Sequence, residues 1–115
     1  MGVFDSVSSV ALGSALDGLA LRQRAIADNV ANLQTPGYRA RVVEFEGALA
    51  SAVRDGDGAA RATLSRSDAA TREDGNNVNL DEQTLLNVET NLRYQLATQA
   101  VTGTFSSVRA AMRTS

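Results

Sequence analysis

Two apolar stripes of helical period, one near each end, most constrain what this chain can become, because neither can hide itself alone. The first runs through Leu12, Leu16, Leu19, Gln23, Ile26, Val30 and Leu33, with spacings of 4, 3, 4, 3, 4 and 3. That is an a/d heptad seam, apolar at every position but Gln23. A lone polar seam residue either fixes register at some cost in stability or sits at the seam edge and touches water. Gly13 and Gly18 each weaken such a helix by up to about 1 kcal/mol relative to alanine, which burial of the seam has to offset. The second stripe runs through Leu85, Val88, Leu92, Leu96, Val101, Phe105, Val108 and Met112. Its spacing of 3, 4, 4, 5, 4, 3, 4 slips between Leu96 and Val101, with Gly103 just beyond. A slip of this kind changes supercoiling locally. The expected fold is therefore mainly α. Long N- and C-terminal helices pack as an antiparallel, coiled-coil-like pair, joined by a middle that is part extended, part helical and largely irregular.

The first stripe ends in "NVANLQTPGY", Asn29 to Tyr38, which holds the chain's one proline. Thr35 precedes Pro36 and is steered away from the α region, so the helix is expected to stop near Asn32 or Leu33. Pro36 and Gly37 suit the two central positions of a type II turn, glycine supplying the positive φ. Tyr38 to Val42 is expected to be extended. Phe45, Leu49 and Val53 lie four apart and predict a short helix. From Arg54 to Asn79 the only large aliphatics are Leu64 and Val78. A segment so poor in apolar side chains is expected to stay a mobile loop in the isolated chain. The last helix has a start signal in "NLDE": Asn79 at the cap and Glu82 three residues on. Asp81 and Glu82 suit the positive end of its dipole, and Arg109 and Arg113 the negative end. Glu89 and Arg93 form a favourable i, i+4 pair. Three regions result: residues 1–38, the first helix and its turn; 39–79, the extended, short-helical and loop region; and 80–115, the second helix.

Composition argues against chemistry. Histidine, cysteine and lysine are absent, which removes the usual bases and thiol or amine nucleophiles. The carboxylate pairs Asp55/Asp57 and Glu73/Asp74 fall in the polar middle, where nothing desolvates them enough to tune a pKa. "DGDG" is too short for a calcium loop and lacks the lysine of a phosphate loop. No catalytic, cofactor or metal site is expected, nor a small-molecule substrate. Six of the eleven arginines lie between Arg39 and Arg72, but acidic residues interleave with them and the net charge is −2. A nucleic-acid partner is not expected. The N-terminal stretch lacks the basic and apolar regions of a cleaved secretory signal, and no transmembrane segment is expected.

"NVANLQTPGY" closing an amphipathic helix resembles the signature of the flagellar rod and hook family of axial proteins. Asn29, Asn32, Thr35, Pro36, Gly37 and Tyr38 each match that signature. "DGNNVNLDEQTLL", from Asp74 to Leu86, and "NLRYQ", from Asn91 to Gln95, look like the proximal rod members of the family. The short length and lack of a large middle domain agree. Asn79 departs from the aspartate common there, but both residues cap helices. The resemblance implies a structural protein of the bacterial basal body in the periplasmic rod, exported by the flagellar type III apparatus without a cleaved signal. It implies contacts with copies of itself, with other rod proteins, and with the MS ring or its FliE adapter. A coiled-coil adaptor would explain both helices but not the turn motif.

Overall fold

The computed structural model describes residues 3–114. Its elements are α1 (Val3–Ala31), β1 (Arg41–Glu44), α2 (Glu46–Asp55), β2 (Thr63–Arg66) and α3 (Leu80–Thr114). The two long helices run antiparallel. Near the turn, Asn29 of α1 bonds Gln83 of α3; midway, Gln23 donates to Asn91 at 2.8 Å. Toward the far end, Ser9 and Leu12 line an apolar cleft with Val101, Phe105 and Val108. The molecule measures 66 × 26 × 14 Å, with a radius of gyration of 17.9 Å. A compact chain of this length would have a radius of about 13 Å.

The core lies where α1, α2, β1 and α3 converge. Leu19, Ala25, Val43 and Phe45 are buried together, and Leu49, Tyr94 and Ala97 pack partly against them. Gly18 has a reason here: a Cβ at this position would lie 2.5 Å from the Phe45 ring. Its absence lets the ring lie on the helix. Among the described residues, none comes within 4 Å of a Cβ at Gly13. Of the first seam, Leu19 and Ile26 are buried, while Leu12, Leu16 and Leu33 are half-buried. Val30 is exposed, because Asn29 takes the inward position at that level.

The second stripe departs most from expectation. Leu85, Val88, Leu92 and Leu96 do not face α1; their exposures run from 56% to 69%. The residues that α3 buries near α1 are Gln83 and Thr90, with Leu86, Tyr94 and Ala97 half-buried. At about 100° per residue, those five cluster roughly 150° around the helix from the Leu85–Leu96 row. The five-residue step from Leu96 to Val101 turns the stripe by about 140°. Val101, Phe105, Val108 and Met112 thus continue the side that faces α1, yet remain exposed. What the sequence presents as one slipped seam is two rows on nearly opposite sides of one helix.

The middle is also more regular than expected. β1 and β2 pair antiparallel, Arg41 against Arg66 and Glu44 against Thr63. The loop expected from Arg54 to Asn79 therefore contains a strand. Polar bonds replace the missing apolar burial. Ser14 donates to the Gly58 carbonyl and accepts from Ala60 N–H, fastening the chain after α2 to α1.

Candidate functional site

The turn motif folds back onto the segment before α3 through a dense set of amide hydrogen bonds. Asn29 is fully buried. Its Oδ1 accepts from Arg41 N–H at 2.8 Å, and its Nδ2 donates to the Arg41 carbonyl at 3.0 Å. The side-chain amide thus pairs with the strand backbone as a neighbouring strand would, on the edge of β1 that β2 leaves open. Nδ2 also donates to Gln83 Oε1 at 3.0 Å, and Tyr38 Oη donates to Oδ1 at 3.4 Å. One asparagine therefore joins α1, β1, α3 and the tyrosine.

Asn32 works locally. Its Nδ2 donates to the Asp28 carbonyl at 2.8 Å, and its Oδ1 accepts from Thr35 Oγ1 at 3.0 Å. The first bond adds to the one that the same carbonyl accepts from Asn32 N–H at 3.1 Å, and the second ties the turn to the helix end. Tyr38 N–H donates to the Thr35 carbonyl at 3.2 Å, closing a turn around Pro36 and Gly37. Gly37 has φ of +75°, which glycine adopts without penalty. Its N–H donates to the Asp74 carbonyl, tying the turn to the second segment.

That second segment supplies residues the sequence reading did not single out. Asn76 is fully buried; its Nδ2 donates to the carbonyls of Asn32 and Thr35 at 2.9 and 2.8 Å. Its Oδ1 accepts from Val78 N–H, and Val78 is the most buried aliphatic among the described residues. Asn77 Oδ1 accepts from Ala40 N–H, while its Nδ2 donates to Ser67 and Ala69 carbonyls. Arg72 donates to the carbonyls of Leu33 and Val78, clamping the end of α1 to the approach to α3. At the start of α3, Asn79 Oδ1 accepts from Glu82 N–H at 3.1 Å. The density of asparagine in "GNNVN" was the available signal for these roles. Three of their partners, Asn32, Thr35 and Ala40, are over thirty residues away and invisible to local patterns.

A second cluster sits on the waist of the molecule. Arg22, nearly buried, donates through Nη1 and Nη2 to Glu46 at 2.6 and 2.8 Å, and to the Val43 carbonyl at 2.6 Å. Its guanidinium lies 4.9 Å from the centre of the Phe45 ring. Arg93 of α3 reaches the same carboxylate at 3.0 Å and pairs with Glu89 at 2.6 Å. The hydrogen bonds from Arg22 bring the Glu46 pKa down to about 2, against the opposing effect of burial. Glu46 thus ties all three helices through one side chain.

The polar atoms of the two clusters face backbone amides and one another, and their geometry fixes the angle between helix and strand. The fold and site define an elongated structural building block whose most elaborate feature is a joint. The sequence profile described as "Flagella basal body rod protein" matches residues 11–39, the stretch from the α1 seam through the turn. Three relatives align over most of their own length and most of this chain. The chain is 26% identical to a protein of Bacillus subtilis (strain 168), covering 85% of this chain and 87% of the relative. It is 26% identical to one of Borreliella burgdorferi, covering 85% and 90%, and 29% identical to one of Borrelia hermsii, covering 81% and 86%. Over most of its length the chain is thus similar to flagellar basal body rod proteins. All three relatives carry the name flagellar basal body rod protein FlgB. No described helix is long and apolar enough to cross a membrane.

Proposed function

We propose that this chain is a subunit of the proximal part of the flagellar rod, polymerising with copies of itself and other rod proteins into the torque-transmitting shaft. The observation that carries this reading is the pair of unburied apolar rows on α3, beside a joint built mainly from the hydrogen bonds of side-chain amides. A chain that leaves nine large apolar side chains exposed along one helix is built to be covered by neighbours. The joint holds the middle at a set angle to the long helices, so each subunit presents the same shape to the next. In this reading the packing rows take their partners in the rod. The base of the assembly lies against the MS ring or its FliE adapter, and the subunit arrives through the flagellar type III export apparatus without a cleaved signal.

The test is a strain lacking this gene, complemented with the native chain or with Gly37→Val. The native chain is expected to restore rods and swimming. The variant places a β-branched residue at φ of +75°, which costs on the order of 1–3 kcal/mol, and is expected to impair motility. Rods that form normally without the chain would overturn the assignment.

A further inference from the structure

We propose that, before it is incorporated anywhere, this chain closes into a twofold dimer in which α3 packs antiparallel on α3 of a second copy through the Leu85–Leu96 row. The inference does not rest on the rod reading, since it concerns the free protein and needs only the geometry of one helix. Leu85, Val88, Leu92 and Leu96 are each more than half exposed and form one continuous ridge over three turns. Four such side chains make an apolar patch on the order of 400 Å², the size at which a surface marks an interaction site. No other described element lies over the ridge, because α1 contacts α3 on the far side.

The flanks of the ridge favour an antiparallel second copy over other arrangements. Glu89 and Arg93 lie together on one side of the ridge; Thr84, Asn91 and Gln95 lie on the other. In an antiparallel helix pair like flanks meet, whereas in a parallel pair the charged flank of each helix faces the uncharged flank of its partner. Centring the antiparallel pair on the ridge sets Leu85 beside Leu96 of the second copy and Val88 beside Leu92 of the second copy. The same register brings Glu89 to Arg93 of the second copy, and Arg93 to Glu89 of the second copy. Apolar and charged partners thus agree on one alignment. About half of each charged side chain remains open to solvent despite the contacts within the chain, so both can reach outward. The arrangement is isologous and closes at two copies. A dimer of this kind covers the ridge while the protein is soluble and must open before the ridge can serve any other contact.

Sedimentation equilibrium of the purified full chain over a thousandfold range of concentration tests the proposal. A monomer–dimer equilibrium that plateaus at two copies is expected. Leu92→Glu is expected to remove the dimer, with helix content by circular dichroism unchanged because the side chain is exposed. Glu89→Arg alone and Arg93→Glu alone each set like charges against one another and are expected to weaken the dimer at least tenfold. The double exchange, Glu89→Arg with Arg93→Glu, is expected to recover most of that loss. A second readout leaves the four apolar residues of the ridge unchanged. The chain has no cysteine, so a single spin label at Gln99→Cys reports one distance between copies. The antiparallel register predicts a label separation of roughly 25–30 Å, from the 1.5 Å rise per residue and an interhelix spacing of about 10 Å. A monomer at all concentrations, open-ended oligomers without a plateau, a label distance near 10 Å, or a double exchange no tighter than the single variants would each overturn it.

Discussion

Asn29 shows how much one side chain can settle. Its primary amide has the same donor and acceptor as a peptide group, and here it substitutes for a strand at the inner edge of β1. Replacing it with alanine strands Arg41 N–H, the Arg41 carbonyl and Gln83 in a buried place. Asn29→Ala is expected to cost about 2–4 kcal/mol by urea unfolding, since each abandoned buried group carries a penalty of about 1–3 kcal/mol. Glu46 makes a prediction of a different kind. Its carboxyl has a folded pKa of about 2 against an ordinary 4.5. A depressed folded pKa contributes stability that is fully present above pH 4.5 and is lost as pH falls through 4.5 toward 2. Because this side chain is 46% exposed, solvent screens part of the effect. The urea midpoint of the native chain is expected to fall between pH 5 and 2.5 more steeply than that of Glu46→Gln, which has no carboxylate to protonate there. Parallel curves would show that the carboxylate contributes nothing.

Among the elements, the helices were legible in the sequence and their facing was only half so. The heptad rows name α1 and α3, and the Thr35–Pro36–Gly37 turn names where α1 stops. Periodicity identifies an apolar row without saying what lies opposite it. For α1 the expected row supplies Leu19 and Ile26 to the buried side, while Arg22, Ala25 and Asn29 come from outside it. For α3 the side toward α1 is carried by Gln83, Thr90 and Tyr94, which no apolar pattern selects. The strand β2 was illegible because Thr63–Arg66 buries nothing; it exists through pairing with β1. The asparagine pair of the turn could be picked out, but its contacts with Arg41, Gln83 and Asn76 depend on long-range topology. The two glycines of α1 separate local from tertiary effects. Gly13→Ala meets nothing and is expected to raise stability by up to about 1 kcal/mol through helix propensity. Gly18→Ala drives a methyl into Phe45 and is expected to lower it by about 1–3 kcal/mol, despite the same propensity gain. Thermal unfolding of the two variants side by side checks this contrast.

At the scale of the whole molecule, nearly all the long-range polar bonding sits at one end or at the waist. The turn, the asparagine network and the start of α3 occupy one tip, and Arg22–Glu46–Arg93 lies farther along. Beyond them the two long helices continue side by side with contacts that are mainly apolar and only partly buried. Rigidity is therefore graded along the 66 Å axis. That gradient suits a subunit whose joint must hold its angle while its rows await a neighbour.

The antiparallel course of α1 and α3 also imposes an order in time. Asn29 and Gln83 are 54 residues apart along the chain, whereas Ser9 and Phe105 are 96 apart. Closing the larger loop outright costs more entropy, but once the near pair has met, each further turn adds only a short increment. The helices should therefore zip from the asparagine tip toward the chain ends and part in the reverse direction. Native-state hydrogen exchange is expected to show opening free energies that fall steadily along α3 from Thr90 to Val108. Equal values along the helix would mean that it opens as one piece.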